Sequence, residues 1–65
     1  MLSALDRKAA LVKAGKTLAA IAAEVDYTPG HVSQVLHGKR RDAKTEAAIA
    51  KAIGKSVVTV FGKAE

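Results

Sequence analysis

Thr17-Leu-Ala-Ala-Ile21-Ala-Ala-Glu-Val25-Asp-Tyr-Thr28-Pro-Gly-His-Val32-Ser-Gln-Val35-Leu-His-Gly38 decides how the rest of the chain is read. The Thr17 hydroxyl is placed to cap a helix, because it can accept an amide of the first turn that has no carbonyl to bond. Leu18, Ile21, Ala22 and Val25 then recur at three and four residues, one face of a helix of about two turns. Asp26-Tyr27-Thr28 interrupts that pattern. Thr28 followed by Pro29 restarts it: a hydroxyl cap, then proline at the first helical position, where its missing N–H costs nothing. Val32, Val35 and Leu36 point inward again, and Gly38 ends a helix that runs to about His37. Two short helices joined by a three-residue turn are predicted, the second opening on small polar residues.

Outward from this stretch, cap residues and glycines keep dividing the chain. Ser3-Ala-Leu-Asp6 has the capping-box spacing, so a helix opens there, with Leu5, Ala9 and Val12, or Leu11 and Ala14, at helical spacing and Gly15 as its stop. Beyond Gly38, Lys39-Arg40-Arg41 reads as a basic loop. Asp42 caps a further helix whose Ile49, Ala50 and Ile53 face a core and which Gly54 ends. The tail from Ser56 to Gly62 reads two ways. Val57, Val58, Thr59 and Val60 suit a strand by propensity, but that strand would need another subunit to pair with. A short helix capped by Ser56, turning Val60 and Phe61 into the core, is favoured. The expected architecture is all-α, a compact bundle of four to five helices forming one domain over residues 1–65.

Composition limits the function. A chain of 65 residues buries only about 60% of its unfolded surface, and with no cysteine nothing covalent staples it. The absence of cysteine fits a reducing cytoplasm. Eleven Lys/Arg against six Asp/Glu give a net charge of +5, which points to an anionic partner, nucleic acid before a membrane surface. Apolar residues at 49% are too many for a disordered tail. Fourteen alanines, one Tyr, one Phe and no Trp suit small, closely packed helices. The longest apolar run, Leu18 to Ala23, is six residues, against the roughly 20 that a membrane span needs. No secretory signal pattern opens the chain.

The paired helices and their turn describe a helix-turn-helix, and the residues resemble those of lambda-repressor-like regulators. Ile21, Val25, Tyr27, Val32 and Val35 stand where that family buries its side chains, and Ala22 at the helix-crossing point. The continuation is Gly38-Lys-Arg-Arg-Asp42, then Glu46-Ala-Ala-Ile-Ala-Lys-Ala-Ile-Gly54, ending near Val60-Phe61. It is similar to small Ner-like phage and prophage regulators, and the resemblance covers residues 5 to 62. One position departs from the family: Asp26 stands where it usually has glycine. Asp is among the few other residues that tolerate the left-handed conformation, whose cost is roughly 1–2 kcal/mol.

In a helix-turn-helix the second helix enters the major groove, so residues 29–37 form the expected recognition helix. Its candidate base-contacting residues are Thr28, Pro29, Gly30, His31, Ser33, Gln34 and His37. Gln34 can bond adenine N6 and N7 together, worth about 1–3 kcal/mol of discrimination. On most helices such a glutamine is merely solvated; following a helix-turn-helix turn it reads as the base reader. Ser33 donates or accepts and so reads permissively. Pro29 and Gly30 bring little reading chemistry, though Gly30 permits close backbone approach. Lys39, Arg40 and Arg41, as a run on their own, read as a solvated loop. Directly after the recognition helix they read as phosphate contacts, joined by Lys16, Thr17 at its helix N-terminus, and Lys44.

No other chemistry gathers. His31 and His37 lie six apart, off the i, i+4 spacing of a helical metal pair, and no cysteine or close carboxylate completes a set. Ser33 has no base in reach of a triad, Asp26 and Asp42 read as turn and cap residues, and Tyr27 and Phe61 as core. No catalytic residue, metal, cofactor or small-molecule ligand is assigned, and an enzyme is not expected. A cationic membrane-active helix is disfavoured by the glycines, caps and Pro29, since such peptides are continuous helices. The resemblance implies a transcriptional regulator of double-stranded DNA, an autoregulatory repressor of phage or mobile-element type. So small a module reads few base pairs, which implies a homodimer on an inverted-repeat operator. The alternative is an antitoxin or an excision or architectural factor on the same fold, with a protein partner.

Overall fold

Every helix opens on a side chain that accepts an amide of its own first turn. In the computed structural model, which describes residues 1–62, the helices are α1 (Ala4–Lys13), α2 (Leu18–Val25), α3 (Pro29–Leu36), α4 (Ala43–Ile53) and α5 (Val57–Phe61). Their caps are Ser3, Thr17, Thr28, Asp42 and Ser56, accepting from the amides of Asp6, Ala20, His31, Lys44 and Thr59 at 3.1–3.2 Å. All five are the caps expected from sequence. Of the capping box at Ser3, only the serine half forms among the described residues.

The helix ends share one device as well. Gly15, Asp26, Gly38 and Gly54 all have positive φ. The amide after each reaches back five residues: Lys16 to Leu11, Tyr27 to Ala22, Lys39 to Gln34 and Lys55 to Ala50, at 2.9–3.1 Å. This is the long bond of a Schellman end, which satisfies a carbonyl left without a helical donor. Asp26, at φ 66° and ψ 38°, therefore does at the α2–α3 turn what glycine does at the other three. The turn forms as expected despite the substituted side chain.

The core is one cluster. Leu11 of α1, Ile21, Ala22 and Val25 of α2, Val32, Val35 and Leu36 of α3, Ile49 and Ala50 of α4, and Val60 and Phe61 of α5 are all buried. Each fully buried Val or Leu contributes about 1.5–3 kcal/mol relative to an exposed one. Ala22 is buried where α2 passes α3 and α4, so the small residue at the crossing is where the sequence placed it. Leu18 and Ile53 are half-buried at the core's edge.

One expectation is corrected and two alternatives are decided. Of the two apolar sets on α1, Leu11 faces the core, beside Arg7, while Leu5 and Val12 are 76% and 69% exposed. Burial follows the i, i+4 pair that carries a charge, because Arg7 finds carbonyls to bond inside. Tyr27 is 45% exposed rather than core: it follows the left-handed Asp26, whose turn swings its ring outward onto His31, 4.2 Å between centroids. The tail is helical, as favoured over the strand: Ser56 caps α5, and the Leu2 amide bonds the Thr59 carbonyl at 3.1 Å.

Candidate nucleic-acid interface

The α2–α3 turn leaves the outer side of α3 open. Thr28, Pro29, Gly30, Gln34 and His37 are exposed, while His31 and Ser33 are half-buried. Gln34 makes no side-chain hydrogen bond among the described residues, so both its amide and its carbonyl are available. The Thr28 hydroxyl already accepts the His31 amide at 3.2 Å. The His37 Nδ1–H donates to the Ser33 carbonyl at 2.8 Å, which aims Nε2 away from the helix.

His31 is held rather than free. Its Nε2–H donates to Asp42 Oδ2 at 2.8 Å, and Nδ1 lies 3.5 Å from Arg40 Nη1, a weak contact. Asp42 in turn caps α4 and accepts from the Thr45 hydroxyl at 2.7 Å. The hydrogen bond from Thr45, then that from His31, holds the Asp42 carboxyl below the usual carboxylate range; partial burial opposes them. This chain ties the first turn of α3 to the first turn of α4, with Arg40 at its outer end. Lys44 joins the same end, its Nζ 5.8 Å from the centre of the Tyr27 ring.

A second gathering lies at the other end of α3. Lys16, Thr17, Ser33 and His37 line one groove of about 280 Å³ with Lys8, between α1, the start of α2 and the end of α3. Lys8 was not singled out in the sequence. Nothing distinguishes it there from the other lysines until α1 is seen to lie beside α3.

The basic loop divides unequally. Lys39 and Arg40 have no carboxylate partner among the described residues, whereas Arg41 Nε donates to Glu46 Oε2 at 2.7 Å. Glu46 is itself buried, so part of Arg41's charge is neutralised from within the fold. Behind it sits the buried cation that the sequence reading missed. Arg7, 5% exposed, donates from Nε to the Leu36 carbonyl at 2.6 Å and from Nη1 to the Leu2 and Val60 carbonyls at 2.8 and 3.2 Å. Its guanidinium also stacks over Phe61, 4.8 Å to the ring centre. Burial lowers the Arg7 pKa, and the charge of Glu46 opposes that shift. Arg7 thus fastens the last turn of α3 to the N-terminal segment and α5. The only signal for it was a cation at the i−4 position of Leu11.

Among the described residues no three metal-capable side chains gather, and no helix is long and apolar enough to cross a membrane. The arrangement supplies an exposed helix face with one unpaired amide side chain, lined at both ends by cations. A side-chain amide can bond a base edge, and exposed cations can hold phosphates. Comparison with curated proteins and with solved structures found no match. The winged helix-turn-helix DNA-binding family matches residues 3–63, which is nearly the whole chain. Among the described residues no β-hairpin follows α3; the Lys39–Asp42 loop and α4 stand there instead. With five helices among the described residues, a helix-turn-helix at α2–α3 and a match of that extent, the chain belongs to the winged helix-turn-helix DNA-binding family.

Proposed function

We propose that this DNA-binding protein is a transcriptional repressor, autoregulatory and similar to the Ner-like regulators of phage and mobile elements, acting in the bacterial cytoplasm as a single domain. Helix α3 lies in the major groove. Gln34 reads an adenine, Ser33 and His37 add permissive contacts, and Thr28, Pro29 and Gly30 let the backbone approach. His31, tied to Asp42, sets the angle of α3 more than it reads a base. Lys16, Thr17, Lys39, Arg40, Arg41 and Lys44 hold phosphates on either side. Two copies occupy an inverted repeat with half-sites about one DNA turn apart, and repression follows from covering a promoter that overlaps it.

The observation that carries the reading is the exposed Gln34, without a partner among the described residues, on a helix flanked by cations at both ends. The test is fluorescence anisotropy with the DNA upstream of the protein's own gene against a scrambled duplex, at two salt concentrations. Selective binding whose log affinity falls by about 0.9 per neutralised phosphate with log salt is expected. Equal, weak binding to both duplexes would overturn the regulator reading. In the same assay Gln34→Ala is expected to lose about 1–3 kcal/mol of discrimination at one base pair.

A further inference from the structure

What His37 can hold depends on one proton. Its Nδ1 lies 2.8 Å from the Ser33 carbonyl oxygen. A carbonyl only accepts, so Nδ1 carries a hydrogen, and in the neutral ring Nε2 is left with a lone pair and no hydrogen. A phosphodiester oxygen also only accepts. Neutral His37 therefore has no donor for a phosphate, whereas the imidazolium donates from both nitrogens, to Ser33 and to the anion. His37 is exposed, at the end of α3, and lines the groove between α1, the start of α2 and the end of α3. Lys8 of α1 and Lys16 of the α1–α2 loop face it there. Among the described residues these three are the groove's titratable groups: no carboxylate lines it, and neither lysine is ion-paired. Behind the wall stand Arg7, bonded to the Leu36 carbonyl, and the buried Glu46, which pairs with Arg41. A second groove, between α2 and α4, has Glu24 as well as Lys16 and Lys51 on its wall. The α1–α3 groove is thus the one of the two whose charge is all of one sign.

We infer that this groove seats one strand of the DNA duplex, a phosphate meeting Lys8, Lys16 and His37, and that His37 takes up a proton as the strand binds. Charge complementarity selects a polyanion. Val12 and Leu18, which also line the groove, give it an apolar floor that suits a deoxyribose and not a free phosphate ion. The inference rests on the proposed placement of α3 in the major groove, and it deepens that reading in two ways. It adds Lys8, from a helix outside the helix-turn-helix, to the phosphate contacts. It also makes affinity depend on pH, because a proton bound together with the DNA makes binding tighter as pH falls. The phosphodiester keeps its single charge across the neutral range, so the proton belongs to the protein. Histidine is the side chain whose charge ordinarily changes between pH 5 and 8, which sets the range to compare. His31, tied to Asp42, is present in every variant below and cancels in the comparison.

Anisotropy on a mixed-sequence duplex tests this without an operator, because phosphate contacts carry no sequence information. The unsubstituted chain is expected to bind about three- to tenfold more tightly at pH 6 than at pH 8, over and above the change that His37→Gln retains. His37→Lys has a fixed charge over this range. It is expected to show the same residual pH dependence as His37→Gln but to bind more tightly than that variant at pH 8. Lys8→Ala is expected to flatten the slope of log affinity against log salt by about one, and Lys51→Ala, on the α2–α4 groove, by clearly less. His37, Lys8 and Lys51 are all exposed, and circular dichroism confirms that each variant is folded. An equal pH ratio for the unsubstituted chain and His37→Gln, or equal slopes for Lys8→Ala and Lys51→Ala, would overturn the inference and turn the groove toward an acidic protein partner. The expected results on the mixed-sequence duplex, without selectivity for the DNA upstream of the gene, would remove the operator reading and keep this one. No binding to any duplex would remove both.

Discussion

At the scale of single residues, two charged groups decide more than any one apolar side chain. Arg7 bonds three carbonyls from three separate segments, so removing its fork leaves the buried Leu36 carbonyl without that donor and weakens the other two, of which Val60 keeps the Leu2 amide. Arg7→Met, close in length but without donors, is expected to destabilise by roughly 2–4 kcal/mol. In so small a domain that lowers the melting temperature by about 10 °C or more, read by circular dichroism. Arg7→Lys keeps the charge but not the planar fork, and falls between the two. Asp42 governs the acid limb. Its folded-state pKa lies below its ordinary value of 3.8 because Thr45 and His31 hydrogen-bond the carboxylate. Its contribution is therefore fully present above that ordinary value and is lost as pH falls through the lower folded value. The melting temperature attributable to Asp42 is expected to stay flat from pH 7 to 5 and drop below about pH 4. Asp42→Asn should flatten that drop when the two pH profiles are compared.

At the scale of elements, the α2–α3 turn has, among the described residues, the one left-handed residue that is not glycine. Asp26 makes no side-chain hydrogen bond among the described residues, so nothing offsets its strained backbone. Asp26→Gly is expected to stabilise by about 0.5–1 kcal/mol, the relieved strain exceeding the entropy that glycine adds to the unfolded chain. A rise in melting temperature of roughly 2–8 °C checks it, and a fall would mean that the aspartate has a native partner. The helix boundaries themselves are legible in the sequence, because capping is a local exchange between a side chain and an amide two or three residues away. Ser3, Thr17, Thr28, Asp42 and Ser56 each made that exchange where expected. Even α5, whose β-branched run favours a strand by propensity, follows its cap and the burial of Val60 and Phe61.

At the scale of the whole molecule, a net charge of +5 favours an anionic partner such as DNA, and the fold decides which cations are left unpaired. Arg40 and Arg41 are adjacent in sequence, yet only Arg41 is paired with the buried Glu46. Arg40→Ala is expected to flatten the slope of log affinity against log salt by about one, whereas Arg41→Ala changes it by clearly less. Equal losses would show that Arg41 leaves Glu46 on binding. The helix periods, the caps, the turn and the apolar core of α2 to α4 were determined by the sequence alone, since each rests on neighbours within about one turn of helix. Tertiary structure alone decided what depends on groups distant along the chain. Arg7 is inside because the Leu36, Leu2 and Val60 carbonyls converge on it, and Tyr27 is outside because the turn aims it at His31. His31 is tied down because Asp42, eleven residues on, reaches its ring. Leu5 and Val12 face out because α1 gave its inner face to Arg7. Periodicity reports that a helix has an apolar side; only packing reports which side the rest of the molecule covers.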